Sequence, residues 1–65
     1  MPYVSSTAIS RIEYDPSLRQ LYVTFHEGGT YTYYGVPQHV YEAFLRAPSK
    51  GEFFHDHIKD VYRYG

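Results

Sequence analysis

Hydrophobic and polar positions along this chain follow one period up to Val36-Pro37 and another after it. Before that point they alternate. In "AISRIEY", Ile12 and Tyr14 fall on one side and Arg11 and Glu13 on the other, as in a half-buried strand. "QLYVTFH" sets Leu21, Val23 and Phe25 against Tyr22, Thr24 and His26, and "TYTYY" sets Tyr31 and Tyr33 against Thr30, Thr32 and Tyr34. Between the first two runs, "DPS" predicts a turn, because Pro16 fixes φ and Asp15 can accept a local backbone hydrogen bond.

Parity chooses the second turn. A two-residue Gly28-Gly29 loop would set Phe25 opposite Thr32 and Val23 opposite Tyr34, mixing the faces. A three-residue loop, Glu27-Gly28-Gly29, sets Phe25 against Tyr31, Val23 against Tyr33, Thr24 against Thr32 and Tyr22 against Tyr34. Register follows the hydrophobic pattern, and a left-handed glycine commonly closes such a loop, so the second arrangement is expected. Tyr31 and Tyr33 are then core.

After Val36 the apolar spacing becomes helical. Pro37 suits a first helical turn, where its missing N–H costs nothing. Val40, Ala43, Phe44 and Ala47 form the buried stripe, Tyr41 and Leu45 widen it, and Glu42 and Arg46 make an outward i, i+4 pair. Pro48 ends this helix. "SKGE" reads as a capping box with Ser49 as N-cap and Glu52 three residues on. The second helix is expected to bury Phe54, Ile58, Val61 and Tyr62, with Asp56, Lys59, Asp60 and Arg63 opposite.

The expected fold is α+β: a three-stranded antiparallel β-meander followed by a helical hairpin packed on one sheet face. That face carries Ile12, Tyr14, Leu21, Val23, Phe25, Tyr31 and Tyr33.

Composition adds limits. Sixty-five residues read as one domain, 1–65, which buries only about 60% of its unfolded surface. There is no cysteine, so neither disulfides nor Cys-based zinc sites can staple it. Aromatic residues, 20% of the chain, are left to do that work. No apolar run approaches the ~20 residues of a membrane span, and "MPYVSSTAIS" has neither a basic start nor an apolar stretch, so a cytoplasmic setting is expected. Formal net charge is −1, less basic than usual for a domain that binds nucleic acid mainly through phosphates. The last twenty residues are slightly richer in cations, with Arg46, Lys50, Lys59 and Arg63 against three acids.

In order and spacing, "SSTAISRIEYD", "LYVTFHEGGTYTYYGVPQHVY" and "APSKGEFFHDHI" resemble the KTSC family, small domains named after lysyl-tRNA synthetase C-termini. The resemblance runs from Val4 to Tyr62. It rests on Ser6, Ile9, Tyr14-Asp15, Leu21, Val23, Phe25, Gly29, Tyr31, Tyr33, Val36-Pro37, Tyr41, Ala47, Ser49, Gly51 and Ile58. It implies a small domain with a hint of RNA and supplies no catalytic residues.

Chemistry finds little frame. His55 and His57 would point about 200° apart on a helix and cannot chelate one ion together. His57, about 60° from Phe54, reads as a packed residue. His26, His39 or His57 as base, Ser5, Ser6 or Ser49 as nucleophile, and Asp15 or Glu13 as orienter fit no nucleophile elbow, carboxylate pair or HExxH motif. A non-enzymatic module without cofactor or metal is expected.

The second sheet face is the candidate surface, with Arg11, Glu13, Tyr22, Thr24, His26, Thr32 and Tyr34 displayed there. Of these, Arg11, Tyr22, Thr24, His26 and Tyr34 are the candidate binding residues, since ring faces beside an arginine suit single-stranded bases. Two readings stay open beside RNA. The same face could take a protein partner or pair two copies in a weak homodimer. Tyr22 and Tyr34 could also be only a stabilising cross-strand pair, partly covered by Tyr3 and Val4.

Overall fold

The computed structural model describes residues 8–65; Tyr3, Val4, Ser5 and Ser6, named above as cover or nucleophiles, lie outside them. Three strands, β1 (Ile9–Asp15), β2 (Gln20–Phe25) and β3 (Gly29–Tyr34), form one antiparallel sheet in sequence order. Two helices follow, α1 (Gln38–Arg46) and α2 (Lys50–His57). This is the expected α+β meander and helical pair.

The turn after β1 is built on Asp15. Its carboxylate accepts from the Ser17 amide at 3.0 Å, the Ser17 hydroxyl at 2.7 Å and the Leu18 amide at 3.3 Å. These bonds, the Ser17 hydroxyl foremost, hold the Asp15 carboxyl below its ordinary value.

The β2–β3 register differs from the expected one by two residues. Phe25 faces Gly29, Thr24 faces Thr30, Val23 faces Tyr31, Tyr22 faces Thr32, Leu21 faces Tyr33 and Gln20 faces Tyr34. The loop is therefore His26-Glu27-Gly28. A shift of two leaves every side chain on its own face, so alternation cannot distinguish these registers. Gly28 at φ 111° and Gly29 at φ 83° put the left-handed backbone where β3 starts. The Thr24 and Thr30 hydroxyls then meet at 2.8 Å.

β1 hides a second irregularity. Ile9 pairs with Phe25 but Arg11 with Thr24, so Ser10 is an extra residue, and its hydroxyl donates to the Thr24 carbonyl at 3.3 Å. The bulge turns Ile9 to the side of Ile12 and Tyr14, where it packs against the core.

That core consists of Leu21, Val23, Tyr33, Val36, Phe44 and Ile58. Rings tie the helices to the inner face of the sheet: Tyr14 stacks on Tyr41 at 4.8 Å, and Phe54 meets Phe25 edge-on at 5.3 Å. The Tyr14 hydroxyl donates to the Val36 carbonyl and fixes the β3–α1 connection. In α1, Pro37 occupies the N-cap, and Phe44 is fully buried. Leu45 does not widen the buried arc and stays 45% exposed. Glu42 accepts from Gln38 at 3.3 Å, in place of the expected pairing with Arg46.

α2 begins as read, with the Ser49 hydroxyl accepting from the Glu52 amide. It ends early. The Ile58 and Lys59 amides both donate to the Phe54 carbonyl, and Asp60 adopts a left-handed backbone at φ 65°. The chain therefore reverses, leaving Val61 59% exposed instead of buried. His57 is exposed, its ring 4.5 Å from that of Phe53. The last residues return along the outer edge of β3: Tyr64 bridges to Tyr33, the Thr32 and Gly65 amides exchange hydrogen bonds, and the Tyr34 amide donates to the Arg63 carbonyl. Residues 63–65 are thus a fourth, irregular edge of the sheet, reached through a turn in which the Val61 and Tyr62 amides donate to the Ile58 carbonyl. No helix among the described residues is long and apolar enough to cross a membrane.

Candidate functional site

The register arranges the outer face of the sheet in three rows. Arg11, Thr24 and Thr30 make the first, and Glu13, Tyr22 and Thr32 the second. Asp15, Gln20 and Tyr34 make the third, and it is extended by Arg63, which the Tyr33–Tyr64 bridge sets directly opposite Tyr34. Antiparallel partners share a face, so Arg63 lies on the outer side with Tyr34 while Tyr64 lies on the inner side with Tyr33.

The five expected binding residues are not brought together as one group. Arg11 and Tyr34 occupy opposite corners, roughly 13 Å apart along the strands and 10 Å across them. The Arg11 guanidinium sits 3.3 Å from Glu13 in an exposed ion pair. Thr24 is engaged by Thr30. His26 belongs to the hairpin loop, where its amide donates to the Ala8 carbonyl at 3.0 Å, and its side chain is outside the rows. Tyr22 is half-buried among its neighbours, and its hydroxyl donates to Gln20 at 2.9 Å.

Tyr22 and Tyr34 are not the directly opposed pair expected from the sequence. Tyr22 stands opposite Thr32 and Tyr34 opposite Gln20, which leaves the two rings diagonal, about 7–8 Å apart at the backbone. Tyr34 is 43% exposed. Its ring leans over Gly65, where an added Cβ would come within 3.3 Å of its hydroxyl and displace it slightly. The cation paired across the strand edge from Tyr34 is Arg63, a residue expected from the sequence on the exposed face of a helix. Only the reversal at Asp60 brings it to the sheet, and the sequence signal for that was slight: Asp is one of the few residues that tolerate a left-handed backbone.

Among the described residues no group of three or more His, Cys, Asp or Glu side chains could hold a metal ion. The exposed His55 ring lies 3.3 Å from Asp56.

Residues 5–62 match the sequence model of the KTSC domain. A protein of Tsukamurella paurometabola is 40% identical over 63 residues, covering 97% of this chain and 94% of that protein. A lysine–tRNA ligase of Nostoc is 39% identical over 56 residues, which are 86% of this chain but 10% of the ligase. The chain thus spans about a tenth of the length of such ligases. The crystal structure of a KTSC domain protein from Yersinia pestis superposes with a TM-score of 0.87 at 44% identity, covering 88% of this chain and 80% of that one.

Proposed function

The chain belongs to the KTSC domain family, and from that premise we propose that it is a non-enzymatic binding module that holds single-stranded nucleic acid weakly on the outer face of its sheet. The observation that carries the reading is the exposed Tyr34 ring with Arg63 directly opposite it, and Tyr22 one diagonal away. A base stacked on such a ring contributes about 1–3 kcal/mol whatever its identity, and an adjacent guanidinium supplies a phosphate contact. Occurrence of the same domain in lysine–tRNA ligases supports RNA as the strand. The cytoplasm is the proposed compartment on the same ground.

Titration of isotope-labelled protein with short single strands and with tRNA tests this. Amides of Tyr22, Thr32, Tyr34 and Arg63 should shift, the shifts should weaken with added salt, and Tyr34→Ala and Arg63→Ala should each abolish most of the effect. An unresponsive face at millimolar strand would refute the reading.

A second reading is a protein interface or homodimer on the same face. It is favoured by the balance of charge there, Arg11 and Arg63 against Glu13 and Asp15. Sedimentation of wild type and Tyr34→Ala separates the two. Self-association that the substitution removes supports a homodimer, and an unchanged monomer counts against it.

A further inference from the structure

On the other side of the sheet, five rings from four parts of the chain close a circuit. Phe25 meets Tyr31 edge-on at 5.7 Å, Tyr31 meets Tyr64 at 5.5 Å, and Tyr64 meets Tyr33 at 5.4 Å. Tyr33 meets Phe54 at 5.5 Å, and Phe54 returns to Phe25 at 5.3 Å. These rings line a cleft of about 370 Å³ whose remaining walls are Glu27, Lys59 and Asp60.

Two features separate this cleft from an ordinary aromatic core. First, the Tyr31, Tyr33 and Tyr64 hydroxyls make no hydrogen bond to protein among the described residues, whereas those of Tyr14 and Tyr22 do. Tyr33 is 4% exposed, yet its hydroxyl is not sealed from solvent and opens to the cleft beside Tyr64, which is 60% exposed. Burial, then Tyr64, Tyr31 and Asp60, push that phenol above its ordinary value. Second, neither Glu27 nor Asp60 has an ion-pair partner within 4 Å among the described residues, although Lys59 is on the same rim. Two carboxylates against one ammonium leave the mouth net negative.

The geometry points to this cleft as a site for a small alkylammonium ion, its alkyl groups against the rings and its charge shared by Glu27, Asp60 and the phenolic oxygens. Ring faces attract such cations through their quadrupole, and they do so more strongly where water is partly excluded. An anion would meet the negative faces of the rings and both carboxylates. A neutral apolar molecule would leave the carboxylates without a role. The site shares no side chain with the outer face, so it stands or falls separately from nucleic-acid binding.

The experiment uses the full chain at constant ionic strength, with tetramethylammonium and butylammonium as probes and tert-butanol as the neutral counterpart. Both cations should shift the amides of Tyr31, Tyr33, Asp60 and Tyr64 at tens of millimolar, with tert-butanol clearly weaker. Glu27→Gln and Asp60→Asn should each weaken the cations by about two- to fivefold, the size of one partly exposed charge contact. Asn tolerates the left-handed backbone at this position, so D60N keeps the fold. Lys59→Ala should tighten cation binding by a similar factor. Equal binding of tert-butanol, no shift with any probe, or weaker cation binding in Lys59→Ala would each overturn the proposal.

Discussion

Tyr33→Ala tests the assignment of neighbouring tyrosines to opposite faces. Tyr33 is 4% exposed, and its ring lies 5.5 Å from Phe54 and 5.4 Å from Tyr64. Each such ring pair adds about 0.5–1.5 kcal/mol beyond the area it buries. Losing both, with the cavity left behind, puts the truncation at about 3–5 kcal/mol. A chain of this length has a total stability of only about 3–10 kcal/mol at the usual ~0.05–0.15 kcal/mol per residue. The substitution therefore removes roughly 30% of the stability at the least and can unfold the protein. Tyr34, next in sequence, is 43% exposed and rests on Gly65 at the surface, so Tyr34→Ala should cost under about 1 kcal/mol. Urea unfolding followed by circular dichroism measures both. With a slope near 1 kcal/mol per molar, the Tyr33→Ala midpoint should fall by about 3–5 M and the Tyr34→Ala midpoint by less than about 1 M. Should Tyr33→Ala prove unfolded in water, Tyr33→Leu, which keeps an apolar group but loses both ring pairs, should lie between. Equal losses at the two positions would refute the assignment of faces.

Three further outcomes follow from local geometry. A double-mutant cycle between Thr24 and Thr30 should show coupling of about 0.2–1 kcal/mol and one between Thr24 and Thr32 close to none; the reverse would restore the register expected from the sequence. Ser49→Ala should cost about 1 kcal/mol through loss of the α2 N-cap, read from the urea midpoint, and an unchanged midpoint would deny the cap any role. Because the folded Tyr33 phenol titrates above its ordinary value of 10.0, folding favours its protonated form. Its contribution is whole below pH 10.0 and is lost as pH rises through the folded value, so Tyr33→Phe should flatten the alkaline fall in stability; an equally steep fall would show that Tyr33 is not its source.

Periodicity was enough to read the elements. Alternation at Leu21, Val23 and Phe25 and at Tyr31 and Tyr33 marked two strands and their inner face, and the helical spacing around Phe44 marked α1. Ser49 with Glu52 marked the start of α2 because a cap is a contact between residues three apart. These signals are local or depend only on which face a side chain occupies. A register shifted by two residues changes neither, and so the pairing of Thr24 with Thr30, and of Tyr34 with Gln20, was beyond the reach of pattern. The bulge at Ser10 was hidden for a related reason: one extra residue converts Ile9 from outer to inner without altering the sequence around it.

The C-terminal segment marks the other limit. Ile58, Val61 and Tyr62 have helical spacing, yet the chain turns at Asp60, because Tyr64 can pack on Tyr31 and Tyr33 while residues 63–65 pair with the edge of β3. That gain comes from residues about thirty positions away, and no local pattern records it. Both surfaces of interest depend on this return, since it places Arg63 beside Tyr34 on the outer face and Tyr64 in the aromatic cleft on the inner one. The sequence by itself determined which side chains of β2 and β3 face inward. Long-range pairing of the tail decided which of them meet.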